Sequence, residues 1–183
     1  MPFPPGSYDK IKKWFKARDF CLPDDLIEKA EAYHDLIMSW SQRMNIVSKK
    51  DLGTLLERHI LDSIVPAPAI PELGHLVDIG SGAGFPAIPL ALIRPRLNIT
   101  MIEARHKKVL FLRETRSRLN LENIAIVEVR LEDFAPDHLF DIATLRAIPR
   151  WKQLLPQIKS LLRRSGRLIY YERRGKYRII DEI

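Results

Sequence analysis

The sequence predicts an α/β fold in which a mostly parallel sheet, over residues 71–183, follows an N-terminal helical cap over residues 1–70. Three observations predict it. Apolar residues recur every three or four positions through the first part, and short β-like runs alternate with helical ones through the second. Glycines then stand at alternate positions straight after the first of those runs. Strands that alternate with helices imply βαβ crossovers and therefore parallel pairing. The chain has 183 residues, 46% apolar and 29% charged, which is ordinary for one globular domain with a modest extension.

In the first part, Ile27, Ala30, Tyr33, Ile37, Trp40 and Met44 form one stripe after Pro23, with Asp24 and Asp25 placed as cap and first-turn acids. Leu52, Leu55, Leu56, His59, Ile60, Ser63 and Ile64 form a second, ending before "PAPAIPELG", whose prolines and glycine mark a linker. In that helix Arg58 and Asp62 share a face, where an i,i+4 ion pair can form. Beyond the linker, "HLVDI", "NITMI", "IAIVEV", "FDIATL" and "RLIYYE" read as successive strands. "AIPLALI", His106–Leu119 and "LLPQIKSLL" read as the helices between them. No internal repeat or low-complexity tract interrupts this order.

The net charge of +7 gathers at the two ends: residues 1–20 carry +3, residues 150–183 carry +7, and the middle carries −3. Cationic flanks around a near-neutral middle suit a polyanionic partner, because Lys and Arg contacts to phosphates provide affinity. No apolar run approaches the roughly 20 residues a membrane span needs, so no membrane role is expected. The N-terminal "MPFPPGSYDKIKKWF" lacks the apolar core of a signal peptide, and a cytoplasmic location is expected. A single cysteine, Cys21, fits a reducing compartment and excludes a disulfide framework or cysteine-rich zinc site. It is expected to pack, and no metal site is expected.

Gly80, Gly82 and Gly84 fall after the first strand, where parallel sheets open their ligand crevice. They let the backbone turn tightly and approach a ligand, and Pro86 suits the first turn of the helix that follows. Their spacing puts the third glycine one residue early for a dinucleotide fingerprint, and no Gly-Lys-Ser/Thr is present for a P-loop. Asp78 closing the first strand, Gly-x-Gly-x-Gly, and Glu103 closing the second form instead the pattern of S-adenosylmethionine-dependent methyltransferases of the Rossmann-like class I type. An ionised Glu103 only accepts hydrogen bonds and can take both hydroxyls of a ribose. Leu131 and Glu132, after the third strand, are placed to pack on an adenine face and to meet its edge.

"MNIVSKKDLGTLLERHILDSI", "VDIGSGAGFPAIPLA", "KKVLFLRE", "LNLENI" and "VRLEDF" together resemble the RsmG, or GidB, family of bacterial enzymes that methylate N7 of a guanine in 16S ribosomal RNA. The likeness runs from about Trp40 to Pro149. It implies S-adenosyl-L-methionine as cofactor and 16S ribosomal RNA, or the small ribosomal subunit, as partner. It also implies a cofactor site at Gly80, Phe85, Leu131, Glu132 and Arg146, which the general class extends to Asp78, Gly82, Gly84 and Glu103. Guanine N7 carries an in-plane lone pair and no proton, so alignment suffices and neither base nor covalent nucleophile is expected. Arg146 is the one candidate catalytic position, holding either the methionine carboxylate or the RNA, with an ordinary ion pair as the alternative. Asn45, Arg58 and His59 are candidates for RNA contact, while "RHILDS" can equally fix the helical cap to the sheet, with His59 a satisfied buried imidazole.

Two departures stand out. Leu145 replaces a small hydroxyl residue usual before Arg-Ala, and "YYERRG" replaces a Lys-Gly pair, both read as lying at the rim of the site. The chain stops at Ile183, where "KYRIIDEI" is too short for both strands of a final hairpin. The fifth strand, with Tyr170 and Tyr171, is therefore expected as an exposed edge through which copies could pair, giving a homo-oligomer or a marginally stable protein. An inactive homologue that binds cofactor or RNA is the alternative function.

Overall fold

The computed structural model describes residues 5–172 and 175–181. Its sheet has six strands in the order β3-β2-β1-β4-β5-β6, formed by β1 (Gly74–Ile79), β2 (Leu97–Glu103), β3 (Ile124–Glu128), β4 (Phe140–Arg146), β5 (Leu162–Tyr171) and β6 (Tyr177–Ile180). The first five pair in parallel, the Rossmann-like arrangement the alternation predicts. The chain order reverses between β1 and β4, so a crevice opens at their carboxyl ends.

β6 pairs antiparallel with the second half of β5, Leu168 facing Ile180 and Tyr171 facing Tyr177. That corrects the expected exposed edge: four residues of "KYRII" suffice to cover this part of β5, and the proposed route to a homo-oligomer through it is closed there. Tyr171 is buried and Tyr170 half-buried. Arg173 and Arg174, part of the basic C-terminal segment, lie outside the described residues.

Side chains alternate across the sheet and fill two layers. One face sends Leu76, Ile99, Met101, Ile142 and Ile169 into a cluster completed by α4 (Ala87–Ile93), α5 (His106–Arg118) and the N-terminal helices. The opposite face sends Val77, Ile79, Ile102, Ala143, Leu145 and Leu168 against α6 (Leu155–Leu161). Of the N-terminal helices, α1 (Ser7–Lys16) buries Ile11 and Phe15, and α2 (Leu26–Ser41) buries Leu26, Ala30, Tyr33, Leu36 and Ile37. They share the first cluster with the sheet, and Trp40 Nε1 on α2 donates to Glu114 on α5 at 2.9 Å.

The second predicted helix is real but not uniform. Leu52–Thr54 is a 3-10 turn, Leu56–Leu61 a π-helix, and α3 (Asp62–Ile64) completes it. Cys21, expected to pack, is exposed, because it falls in the connection between α1 and α2. Pro86 is the N-cap residue of α4, one place ahead of the first turn.

Candidate active site

The glycine loop is wired to the end of β2. Gly80 and Ser81 donate their N–H groups to the Ile102 carbonyl at 2.9 and 3.1 Å, and Gly82 donates to Glu103 Oε2 at 2.9 Å. Glu103 Oε1 accepts from the Arg105 N–H at 2.9 Å, so the buried carboxylate is held by backbone on both oxygens. Backbone donors leave an ionised carboxylate with further lone pairs, the property a ribose site needs.

Gly84 has a different task from the ligand approach its place in the motif predicts. A Cβ there would lie 2.6 Å from Ile88 Cγ1 and 2.9 Å from Tyr33 Oη, at a φ of +91°. The missing side chain makes room for Ile88 of α4 and Tyr33 of α2 rather than for a ligand. Tyr33, fully buried, donates its hydroxyl to the Ala83 carbonyl and so ties α2 to the loop. Its only sequence signal is a hydroxyl in an otherwise apolar stripe, which must find a partner once buried.

On the β2–β3 side the loop opens into a pocket of about 210 Å³. Gly80, Glu103, Leu131 and Glu132 line it, together with Ile148 and Leu154. Leu131 and Glu132 sit on the 3-10 turn Leu131–Asp133 after β3, the first half-buried and the second exposed. Asp78, Gly82, Gly84, Phe85 and Arg146 do not line this pocket.

Asp78 closes β1 beneath the loop and is 1% exposed. Thr144 on β4 donates to its Oδ1 at 2.7 Å, while Oδ2 is buried with no hydrogen-bond partner. Burial pushes the Asp78 pKa up to about 6, against the hydrogen bond from Thr144 and the nearby Ser81 hydroxyl, which donates to the Asp78 backbone carbonyl at 3.1 Å. A buried carboxylate oxygen without a partner is unusual and fits a site built for a cationic group. Thr144 supplies a hydroxyl one residue before Leu145. Leu145 points the other way, fully buried in the α6 layer, and is not at the rim. Glu172 does lie beyond the strand end, where its N–H donates to the Lys176 carbonyl at 2.8 Å and its carboxylate pairs with Arg178.

On the β4 side the space is filled. Arg146 is no ordinary surface ion pair. Its Nη2 donates to the Arg58 carbonyl at 2.6 Å and meets His59 Nδ1 at 3.3 Å; its Nη1 donates to Ser63 Oγ at 2.9 Å and the His59 carbonyl at 3.4 Å. A π-turn disturbs the usual i→i+4 ladder, which brings backbone carbonyls within reach of a guanidinium. Phe85 and Tyr171 flank that guanidinium at 5.7 and 5.9 Å, and Tyr171 Oη donates to the Ser63 carbonyl at 2.7 Å. Burial draws the Arg146 pKa down, with the Asp62 carboxylate opposing.

His59 stacks on Phe85 with ring centres 4.9 Å apart. Accepting from Arg146 at Nδ1 places its proton on Nε2, which is buried without a hydrogen-bond partner and lies 3.8 Å from Asp51. The expected satisfied imidazole is thus half satisfied. Burial first, then Arg146, pull its pKa down to about 4, so it is neutral at pH 7. The expected Arg58–Asp62 pair is replaced: Arg58 bonds Asp51 at 3.2 Å, because π-helical winding takes residues four apart out of line. Arg58 and Asn45 are exposed.

No group of three or more His, Cys, Asp or Glu able to hold a metal occurs among the described residues, and no helix among them is long and apolar enough to cross a membrane.

Comparison with known proteins gives the family and the fold. Residues 26–180 match the model of the GidB family, rRNA small subunit methyltransferase G. The chain is 37% identical over 143 residues to the ribosomal RNA small subunit methyltransferase G of Halorhodospira halophila, covering 78% of this chain and 68% of that protein. It is 35% identical over 157 residues to the protein of the same name from Methylobacillus flagellatus, covering 86% and 76%. Among solved structures, M. jannaschii TYW2 in complex with AdoMet has the same fold, with a TM-score of 0.51 and 19% identity over 60% of this chain and 52% of that one. This chain therefore belongs to the rRNA small subunit methyltransferase G family.

Proposed function

We propose that the protein transfers a methyl group from S-adenosyl-L-methionine to N7 of a guanine in 16S ribosomal RNA, acting in the cytoplasm on that RNA or the small subunit that contains it. The observation that carries the reading is the unpartnered Oδ2 of Asp78 at the end of β1, just before Ile79 and Gly80, which line the pocket with Glu103, Leu131 and Glu132, in a chain of this family. When bound, the cofactor supplies a methyl group on a positively charged sulfur.

The residues present fit it. Asp78, oriented by Thr144, offers an anionic oxygen to the ammonium of its methionine part. Glu103 accepts from ribose hydroxyls with the lone pairs its backbone donors leave, Leu131 packs on the adenine, and Glu132 meets the adenine edge. Gly80 and Gly82 keep the loop low, and the Phe85 backbone follows it. Arg146 offers a positive charge for the methionine carboxylate while holding the π-helix in place. On the RNA side, Asn45 and Arg58 are exposed, and neutral His59 adds no positive charge beside the transfer. No side chain needs to remove a proton from N7, which has none, so rate enhancement comes from alignment in a site that is already organised. Leu145 lies in the core and Thr144 serves Asp78, which removes one of the two departures behind the inactive alternative.

The test is calorimetric titration of the full chain with S-adenosylmethionine, followed by methyl transfer to small subunits that lack the modification and mass analysis of the RNA. Binding lost in Gly82→Asp and one methylated guanine are expected. A folded wild-type protein that does not bind the cofactor would overturn the reading.

A further inference from the structure

We infer that Trp151 and Tyr170 form a stacking platform for an unpaired base of the RNA next to the nucleotide that is methylated. This rests on the RNA reading above and assigns residues that the cofactor site does not use.

Trp151 begins the 3-10 turn Trp151–Leu154 just after the loop that leaves β4. Its indole lies nearly parallel to the ring of Tyr170 on β5, with centres 4.5 Å apart and planes 22° apart. Both rings are half-buried: they rest on the α6 layer without being enclosed by it. Such a pair supplies a rigid, partly exposed π surface on which a further base can stack, and every base has a face to offer.

The charges around it point to the same occupant. Arg150 and Lys152 bracket Trp151 in the sequence, are exposed, and form no ion pair among the described residues. Three arginines of the same basic segment are neutralised locally, Arg163 by Asp141, Arg167 by Asp181 and Arg178 by Glu172, while exposed Arg164 on β5 shares the unpaired state of Arg150 and Lys152 among the described residues. Free cations on either side of an aromatic ring match the phosphates on either side of a stacked base.

The position is right as well. In a 3-10 helix residues three apart eclipse, so Trp151 lies on the same side as Leu154, which lines the pocket with Ile148. Tyr170 stands opposite Leu145, one residue from the carboxyl end of β5. The platform therefore borders the crevice on the β4–β5 side, away from the ribose acid. The connecting loop holds Ala147 and Arg150 both at a φ of +56°, a left-handed conformation costly for residues with a side chain. Strain of this kind, kept where the loop delivers Trp151 onto Tyr170, marks a conformation that is worth its cost.

The experiment titrates the full chain, with S-adenosylmethionine present, against a fluorescein-labelled single-stranded oligoribonucleotide with a central guanine. Anisotropy reports binding, and tryptophan emission reports stacking. Trp151→Leu is expected to weaken RNA binding about 10- to 100-fold and to raise KM for RNA to the same degree, with kcat and cofactor affinity within about two-fold of wild type. Trp151→Phe is expected to restore most of the binding. Arg150→Gln with Lys152→Gln is expected to lower the slope of log affinity against log salt by about 1.4, the share of two phosphates on a single strand. RNA binding by Trp151→Leu equal to wild type overturns the platform, and so does equal loss of RNA and cofactor binding in both Trp151 variants. Binding that depends on Trp151 in a protein that transfers no methyl group supports the platform and overturns the proposed reaction instead.

Discussion

The two sides of the glycine loop are built in opposite ways. Toward β2 and β3 the loop faces an open pocket, and its acid, Glu103, is held by neighbouring backbone N–H groups. Toward β4 the wall is packed solid by Phe85, His59, Arg146 and Tyr171, held by carbonyls and a hydroxyl of the segment Arg58–Ser63. The open side follows from sheet topology, since any parallel sheet leaves a recess there. The packed side exists only when the N-terminal helices are docked, so it links their stability to the shape of the crevice.

Changes at the junction should expose that link most. Gly84→Ala forces a methyl group against Ile88 and Tyr33 at a positive φ, and is expected to cost about 3 kcal/mol or more of stability in urea denaturation. An unchanged midpoint would mean that α2 is not seated on the loop. Arg146→Gln removes a half-buried cation and leaves the Arg58 carbonyl and Ser63 hydroxyl short of a partner, for a loss of about 1–2 kcal/mol. It is also expected to raise amide exchange in Leu56–Leu61 while leaving β2 and β3 protected; exchange rising equally in both would erase the contrast between the two sides.

Asp78→Asn separates function from stability. Cofactor binding should fall at least 100-fold by calorimetry, while the protein without cofactor gains about 1–3 kcal/mol, because a buried charge with an unpartnered oxygen is gone. The pH dependence follows from two shifts of opposite effect. With a folded pKa of about 6 against an ordinary 3.8, Asp78 binds its proton more tightly in the folded state, so its contribution falls as pH rises through that window. His59, at about 4 against 6.5, resists protonation when folded, so stability falls as pH drops from 6.5 to 4. Between about pH 4 and 6 the two slopes oppose and the wild-type profile is nearly flat. In Asp78→Asn the His59 slope stands alone, and stability should fall by about 1.4 kcal/mol per pH unit across that range. A flat profile in the variant would remove His59 from the account.

The smallest effect is expected from Tyr33→Phe, which keeps the ring and deletes the bond to Ala83. A loss of about 1 kcal/mol, with cofactor affinity a few-fold lower, would sharpen the case that α2 steadies the loop from behind.

Much of this architecture is readable from the chain itself. The first five strands and the helices between them follow from alternating periods bounded by Gly and Pro, and Asp78 with Glu103 from their places at strand ends. What escapes has physical causes. β6 is four residues on an edge and mixes Tyr and Arg with Ile, too short to show a period. The π-helix has the same apolar spacing as an α-helix over so few turns. Thr144 hides in the apolar run "FDIATL", and the acceptors for Arg146 are backbone carbonyls, which no sequence pattern displays. Cys21 packs nowhere because burial belongs to its place between two helices rather than to its residue type.

The packed wall also has a consequence for the order of assembly. Arg146 meets the Arg58 carbonyl across 88 positions of chain, and Tyr171 meets Ser63 across 108. During synthesis from the N-terminus, α2 finds Ala83 and Glu114 early, yet the contacts that fix the π-helix and α3 wait for β4 and β5. Long loops of this kind close slowly. The open pocket needs the chain as far as Leu154, past Arg146 but short of Tyr171. A nascent chain can thus outline that recess before Tyr171 reaches Ser63, and this last bond closes the wall opposite.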